Sequence, residues 1–367
     1  MPSVRSLHAA LDVRFPFSRA ESWDKTGLLV GDFDAPVQRA LITYEVTGAA
    51  LDAAQKHGCQ AVVAYHPLIF RPLEKLDFSD RTAGLCARLI RENRHLICVH
   101  TALDGAPAPH ALGDALARQL GIENARVHHA SGAQKLVQIV YFSPPECLEQ
   151  TREAAWEAGA GAIGRYDEAS FSSQGSGTFR PQSGAQPKVG TIGQREQTVE
   201  MRVELVAPED KFPAILRAIE AAHVYEEVAY SVLPLLNASD NQGYGPLRLA
   251  PVARADLNEW IEHAKTRLNV PSVRVAAPDN LSDYSFVACS PGSGASFISS
   301  LPRGTIFVSG DFKHHDALLA KSRGVALIDV THAATETASV EMMARALEGV
   351  QGIEVVRDEM RNPFDWV

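Results

Sequence analysis

RALITYEVTGAALDAAQKHGCQAVVAYHP, residues 39–67, sets two short apolar runs on either side of a helical stretch and closes each run with a polar residue. Arg39–Tyr44 reads as a strand, and Ala61–Tyr65 is an apolar run without alternation, the pattern of a strand buried on both faces. Gly48–His57 between them has the spacing of a helix. The same alternation extends outward. A helix is expected over residues 3–14, another over Arg81–Asn93, and a strand over Leu96–His100. Strands and helices taking turns predict an α/β domain around a buried, largely parallel sheet.

Beyond residue 130 the pattern changes. Lys135–Phe142 has strand character and Glu146–Ala158 follows Pro144-Pro145 as a helix, after which Gly159–Gly193 shows little apolar periodicity. Thr198–Val206 alternates like a half-buried strand and Lys211–Ala222 is amphipathic, which gives a β-α-β-β-α-β flavour and predicts a small ferredoxin-like inserted domain. The α/β pattern returns near Leu247. Helices are expected at Leu257–Leu268 and His314–Ser322, strands at Ser285–Cys289, Thr305–Ser309 and Val325–Val330, and a loop at Ser290–Gly294. The predicted organisation is a discontinuous α/β domain over 1–130 and 244–367, interrupted by an insert over 131–243.

Composition narrows the function classes. The chain has 367 residues, 46% hydrophobic and 22% charged, an ordinary globular balance that suits two domains. Its formal net charge of −9 argues against general attraction to nucleic-acid phosphates. No apolar run suits a bilayer span, and Asp12 and Arg14 interrupt the start of the chain where a signal peptide needs an apolar core, so a soluble cytoplasmic protein without membrane attachment is expected. The cysteines at 59, 86, 98, 147 and 289 are scattered and odd in number, which predicts reduced, buried thiols. Any metal must then be held by histidine and carboxylate.

Four predicted strands end in such groups: Tyr65-His66-Pro67, His100 to Asp104, Gly310 to Asp316, and Thr331-His332 with Glu336 following. Ligands in open α/β sheets bind beyond the carboxyl ends of strands, so residues far apart in sequence can converge there. His332 and Glu336, four apart, share one face if a helix starts at that point. His66, Asp104, His332 and Glu336 are therefore the candidate ligands of a divalent metal, with zinc, manganese or ferrous iron suited to imidazole and carboxylate donors. Each has an ordinary reading too. His66 can simply end a strand, Asp104 before Gly105 can serve a turn, and His332 and Glu336 can be a surface histidine and a helix carboxylate. His314 and His315 can be ligands, donors to the metal carboxylates, or part of a helix cap. Ser290–Gly294 can cradle an anion or be a plain loop, and His223–Glu227 fits an interface or a rim.

Through these motifs the chain resembles the dinuclear metal center family, the Nif-three-like proteins, whose members often carry the name type-2 GTP cyclohydrolase I. The likeness runs through Ser22-Trp23-Asp24-Lys25-Thr26-Gly27-Leu28-Leu29-Val30-Gly31, Tyr65 to Phe70, His100 to Asp104, Gly310 to Asp316 and His332 to Glu336. The insert, through Gly159 to Tyr166, Gly177-Thr178-Phe179 and His223 to Tyr230, is similar to the family's optional middle domain of the CutA and PII type. The resemblance implies one or two ions per subunit, His66 and Asp104 on one, His332 on the other and Glu336 bridging. It further implies a homo-oligomer, a hexamer with metal sites facing an inner cavity. Many members have two adjacent histidines where this chain has Tyr65-His66, and a phenol is a poorer ligand than imidazole, so the second ion is expected to be weak, water-rich or absent. Tyr65, His100 and His315 are expected around the ligands or as weak ligands themselves, with Tyr65 or His315 moving a proton.

Functionally, these features lead to a hydrolase-like metal protein whose ions polarise a substrate oxygen and generate hydroxide near neutral pH, acting on a nucleotide or another phosphorylated small molecule. The alternative is a metal-dependent scaffold or sensor that binds a metabolite or a protein through its PII-like insert. Nucleic-acid binding in an oligomeric cavity is a third reading, disfavoured by the acidic balance.

Overall fold

The computed structural model describes residues 2–128, 135–163, 166–236 and 244–365. It separates into two compact units, Met1–Ser131 with Tyr244–Val367, and Gly132–Gly243. The junction expected at 130–131, residue 243, and Gly164 and Arg165 of the family-like stretch lie outside the described residues.

The larger unit holds two sheets rather than one. In the first, strands Gly27–Val30, His95–Cys98, Ala61–Ala64, Arg39–Thr43 and Glu354–Arg357 lie side by side in that order, all parallel except the first. Ala61–Ala64 is buried at every position, so it needs cover on both faces. Leu7 and Leu11 of helix Val4–Arg14 and Met343 and Leu347 of helix Ser339–Leu347 cover one face. Leu51 of helix Gly48–Lys56 and Cys86 and Leu89 of helix Arg81–Arg91 cover the other. Asp80 caps the last of these helices by accepting from the backbone N–H of Ala83.

The second sheet runs Arg274–Ala276, Val325–Asp329, Thr305–Gly310, Tyr284–Ser293, Arg248–Ala255, Arg126–Val127. Its three inner strands, Val325–Asp329, Thr305–Gly310 and Tyr284–Ser293, are parallel, and the other three pair antiparallel. Helices Leu112–Gln119 and Leu257–Leu268 pack on one face, and Phe297, Ile298 and Ala320 lie in the cluster on the other. The expected loop Ser290–Gly294 is largely strand. A register shift after Cys289 lets pairing resume at Ser293 opposite Gly310, with Gly292 between them at φ +65°.

The smaller unit is a βαββαβ arrangement: Leu136–Ser143, helix Leu148–Glu157, Phe171–Phe179, Glu196–Pro208, helix Phe212–Ala222 and Tyr230–Pro234. Its antiparallel sheet places Leu136–Ser143 and Glu196–Pro208 at the centre, flanked by Tyr230–Pro234 and Phe171–Phe179. Val137, Ile139, Tyr141, Val203 and Leu205 form its core with Ile215 and Ile219 of the second helix. Phe171–Phe179 occupies part of the stretch that shows no apolar periodicity. It is an edge strand, exposed along most of its length, so burial imposes no alternation on it.

Candidate metal centre

The site is built from strand tails of both sheets in the larger unit. Ala61–Ala64 continues into Tyr65 and His66, Arg39–Thr43 into Tyr44, and His95–Cys98 into His100 and the short helix Thr101–Asp104. From the second sheet, Thr305–Gly310 leads to Asp311, and Val325–Asp329 to the short helix His332–Thr335 that ends at Glu336. Three residues following these strands take positive φ without being glycine: His100 at 37°, Asp311 at 59° and Thr331 at 76°. Such backbones cost about 1–3 kcal/mol each and persist where packing fixes them, and here they turn the chain at the ends of three strands bordering one site.

His66, His332 and Glu336 converge. One ligand atom from each lies within 4.8 Å of the others. Glu336 Oε2 is 3.1 Å from His332 Nε2 and 3.5 Å from His66 Nε2, and it accepts a hydrogen bond of 2.6 Å from the Tyr44 hydroxyl. His332 Nδ1 lies 2.7 Å from Asp311 Oδ2, which fixes the ring and turns Nε2 toward the carboxylate. Among the described residues the buried Nδ1 of His66 has no hydrogen-bond partner, and the carboxylate of Glu45 lies 3.6 Å from it. Gly292 closes the wall, and a Cβ there would stand 2.7 Å from Glu336 Oε1 and 3.3 Å from His332 Nε2.

Asp104 and Tyr65 form a neighbouring pair. The Tyr65 hydroxyl lies 3.3 and 3.4 Å from the two Asp104 oxygens and 3.4 Å from Glu336 Oε1, and its ring stacks on Tyr44. His100 Nδ1 is 2.8 Å from Asp24 Oδ1, while Asp24 Oδ2 accepts from the backbone N–H and hydroxyl of Thr101. His100 packs against His66 at a ring separation of 5.4 Å. His315 stands apart from this group. It is exposed in the first turn of helix His314–Arg323 against His314, because the chain has already turned away at Asp311, and the residue of that motif that touches the centre is Asp311.

Charge in this buried setting is uneven. Burial, backed by the neighbouring histidines and opposed by Glu336, pulls His66 down to about 4, so its nitrogens are free of a second proton at neutral pH. Burial also acts against a charged His332, but the hydrogen bond and charge of Glu336, and then Asp311, outweigh it and hold the imidazole at about 9. Glu336 resists its own burial through His332, His66 and Tyr44 and stays below the usual carboxylate range. Asp104 is pushed by burial up to about 7, against the pull of His100. Burial raises both Tyr44 and Tyr65, with Glu336 adding to the first and Asp104 to the second.

Two imidazole nitrogens and a carboxylate oxygen fit a divalent cation of the zinc, iron or manganese type. The proton that ties His332 to Glu336 neutralises a buried carboxylate, and a cation between the same atoms does so with more charge. Above the centre opens a cavity of about 490 Å³, lined among others by Arg19, Trp23, His100, Tyr244, Phe297 and His332. That volume suits a small molecule. Asp24 and Asp311 fall inside stretches that the sequence singles out, Ser22–Gly31 and Gly310–Asp316, but are not named there as site residues, and Tyr44 is read only as the end of a strand. Tyr44 and Asp311 directly follow the observed strands Arg39–Thr43 and Thr305–Gly310, so the strand-tail rule that singles out His66 also covers them.

Comparison with known proteins gives one consistent match. The family model described as Duf34/NIF3 (NGG1p interacting factor 3) matches residues 2–363. A protein of Mycobacterium tuberculosis named GTP cyclohydrolase 1 type 2 homolog is 34% identical over 333 residues, 89% of this chain and 86% of its own length. A protein of the same name from Halalkalibacterium halodurans is 31% identical over 319 residues, 86% of this chain and 85% of its own. A crystal structure of a Bacillus cereus protein related to NIF3 superposes with a TM-score of 0.81 at 29% identity, covering 100% of this chain and 99% of the other.

Proposed function

The chain belongs to the Duf34/NIF3 family, and from that premise we propose that it is a divalent-metal-dependent, hydrolase-like protein of the cytoplasm whose substrate is a nucleotide or another phosphorylated small molecule. The observation that carries this reading is the convergence of His66, His332 and Glu336 beside a cavity of small-molecule size. When bound, a divalent ion supplies Lewis acidity toward a substrate oxygen and makes water a stronger acid. Tyr44 and Asp311 hold the ligands in place, the former on Glu336 and the latter on His332. His100, oriented by Asp24, lines the cavity where it can hydrogen-bond a substrate group. The name carried by the relatives points to a purine nucleotide as the first compound to try. Zinc is the first metal to try, since two imidazoles and a carboxylate are a donor set common in catalytic zinc sites.

A homohexamer with a CutA- or PII-like insert belongs to the same proposal, and the βαββαβ order of the smaller unit supports the insert's part in it. Purified protein should contain a divalent metal by elemental analysis. It should turn over at least one member of a nucleotide and phosphoester panel in a way that chelation and Glu336→Ala abolish. Bound metal without turnover of any compound, together with tight binding of a metabolite or a protein, would replace the enzyme by a scaffold or sensor.

A further inference from the structure

The two carboxylates at the centre are not equivalent. Glu336 turns Oε2 toward both imidazoles, whereas its Oε1 faces the Tyr65 hydroxyl at 3.4 Å. Asp104, on the far side of that hydroxyl, is reached at 3.3 and 3.4 Å and is not among the three residues whose ligand atoms cluster. The space that a cation would need to touch both Asp104 and Glu336 Oε1 therefore holds the oxygen of a phenol. Tyr65 cannot readily vacate it, since its side chain is 1% exposed and its ring is stacked 6.0 Å from that of Tyr44 at 13°. A neutral phenol has one proton to donate and offers a cation far less than an imidazole nitrogen.

We infer that the centre takes one ion per chain, held by His66, His332 and Glu336, and that the Tyr65 hydroxyl, lodged between Asp104 and Glu336, keeps a second ion out. The inference rests on the metal reading proposed above and deepens it. Asp104 is then a hydrogen-bonding wall of the cavity rather than a ligand. The phenol that links it to Glu336 couples the position of one carboxylate to the other. Replacing Tyr65 by histidine exchanges the phenol for a nitrogen donor near the same two carboxylates, so the variant should gain the ion that the wild type excludes.

Metal-depleted wild type, Tyr65→Phe and Tyr65→His, each checked for folding by circular dichroism, would be loaded with excess Zn²⁺, desalted and measured for metal per chain. The expected result is one ion in the wild type, one in Tyr65→Phe and two in Tyr65→His. Two ions in the wild type, or one ion in folded Tyr65→His, would overturn the inference. No ion in the wild type would sink the metal reading itself, a different failure. Should Tyr65→His not fold, Mn²⁺-loaded wild type decides through its electron paramagnetic resonance spectrum. An isolated six-line signal supports a single ion, and a spin-coupled pair overturns it.

Discussion

Gly292 and Gly58 share nearly the same backbone, φ +65° and +63°, but their surroundings differ. A Cβ on Gly58 would meet only Arg39 Nη1 at 3.8 Å, whereas one on Gly292 would meet Glu336 Oε1 at 2.7 Å and His332 Nε2 at 3.3 Å. Alanine at either position adds the left-handed backbone cost of about 1–2 kcal/mol. In a domain of this size that lowers the melting temperature by roughly 2–8 °C. Only Gly292→Ala must also displace a ligand. Ordinary contact needs the carboxylate oxygen to retreat by about 0.7 Å, and Glu336 is held in place by Tyr44 at 2.6 Å. Shifts of supporting groups around metal ligands typically cost about 10–100-fold in affinity, which corresponds to about 1.4–2.8 kcal/mol. Calorimetric titration of Zn²⁺ into both variants, beside melting curves of the metal-free proteins, separates the two effects. Equal zinc affinities in Gly58→Ala and Gly292→Ala would refute the placement of the ion between Glu336 and His332.

Two further outcomes follow from the same geometry. Asp311→Ala removes the partner of His332 Nδ1, so zinc affinity should fall by about 10–100-fold. The His332 titration, followed by NMR on metal-free protein, should move down from about 9, and an unchanged affinity would count against the positioning role. In the metal-free protein these groups should leave stability about level from pH 4 to 6.5, where the His66 and Asp104 contributions offset, and lower it above that range. His66 is depressed to about 4, so its contribution is complete above the unfolded value of 6.5 and is lost as pH falls through 4. His332 is raised to about 9, so its contribution is complete below 6.5 and is lost as pH rises through 9, and Asp104, raised to about 7, adds a loss between its unfolded value near 3.8 and 7. Melting curves from pH 4 to 9 should show this fall on the alkaline side. Zn²⁺ should abolish the part of the fall above pH 7 by replacing the His332 proton, and the same fall there with zinc bound would contradict that exchange.

The sequence exposes the larger unit well because its inner strands are buried on both faces. Ala61–Ala64 and Val325–Ile328 have no solvent side, so they appear as unbroken apolar runs, and the polar residues beyond them stand out. His66 and His332 are visible for that reason. Division of the strands into two sheets is not visible, because Glu354–Arg357 joins Arg39–Thr43 across more than 300 residues and no local pattern records that pairing. The strand Phe171–Phe179 is hidden by its exposed serines and glycines. Asp24 is hidden differently. Its role depends on the position of His100 and Thr101, 76 and 77 residues away, and a carboxylate in a polar loop carries no sign of a distant partner.

The order in which the centre is written along the chain bears on its assembly during synthesis. His66 precedes Glu336 by 270 residues, and the strand that completes the first sheet, Glu354–Arg357, comes later still. At about 5–20 residues per second, on the order of 14–54 s separate the synthesis of the first ligand from that of the last. During that interval the βαββαβ unit, which is contiguous, is made whole, while the unit that flanks it in sequence waits for its second half. A nascent chain can present His66 to a passing cation but cannot hold one with Glu336 and His332 as well, so capture of the proposed ion by all three waits until residue 336 has been made. A chain stopped short of residue 332 would carry a finished insert and no centre.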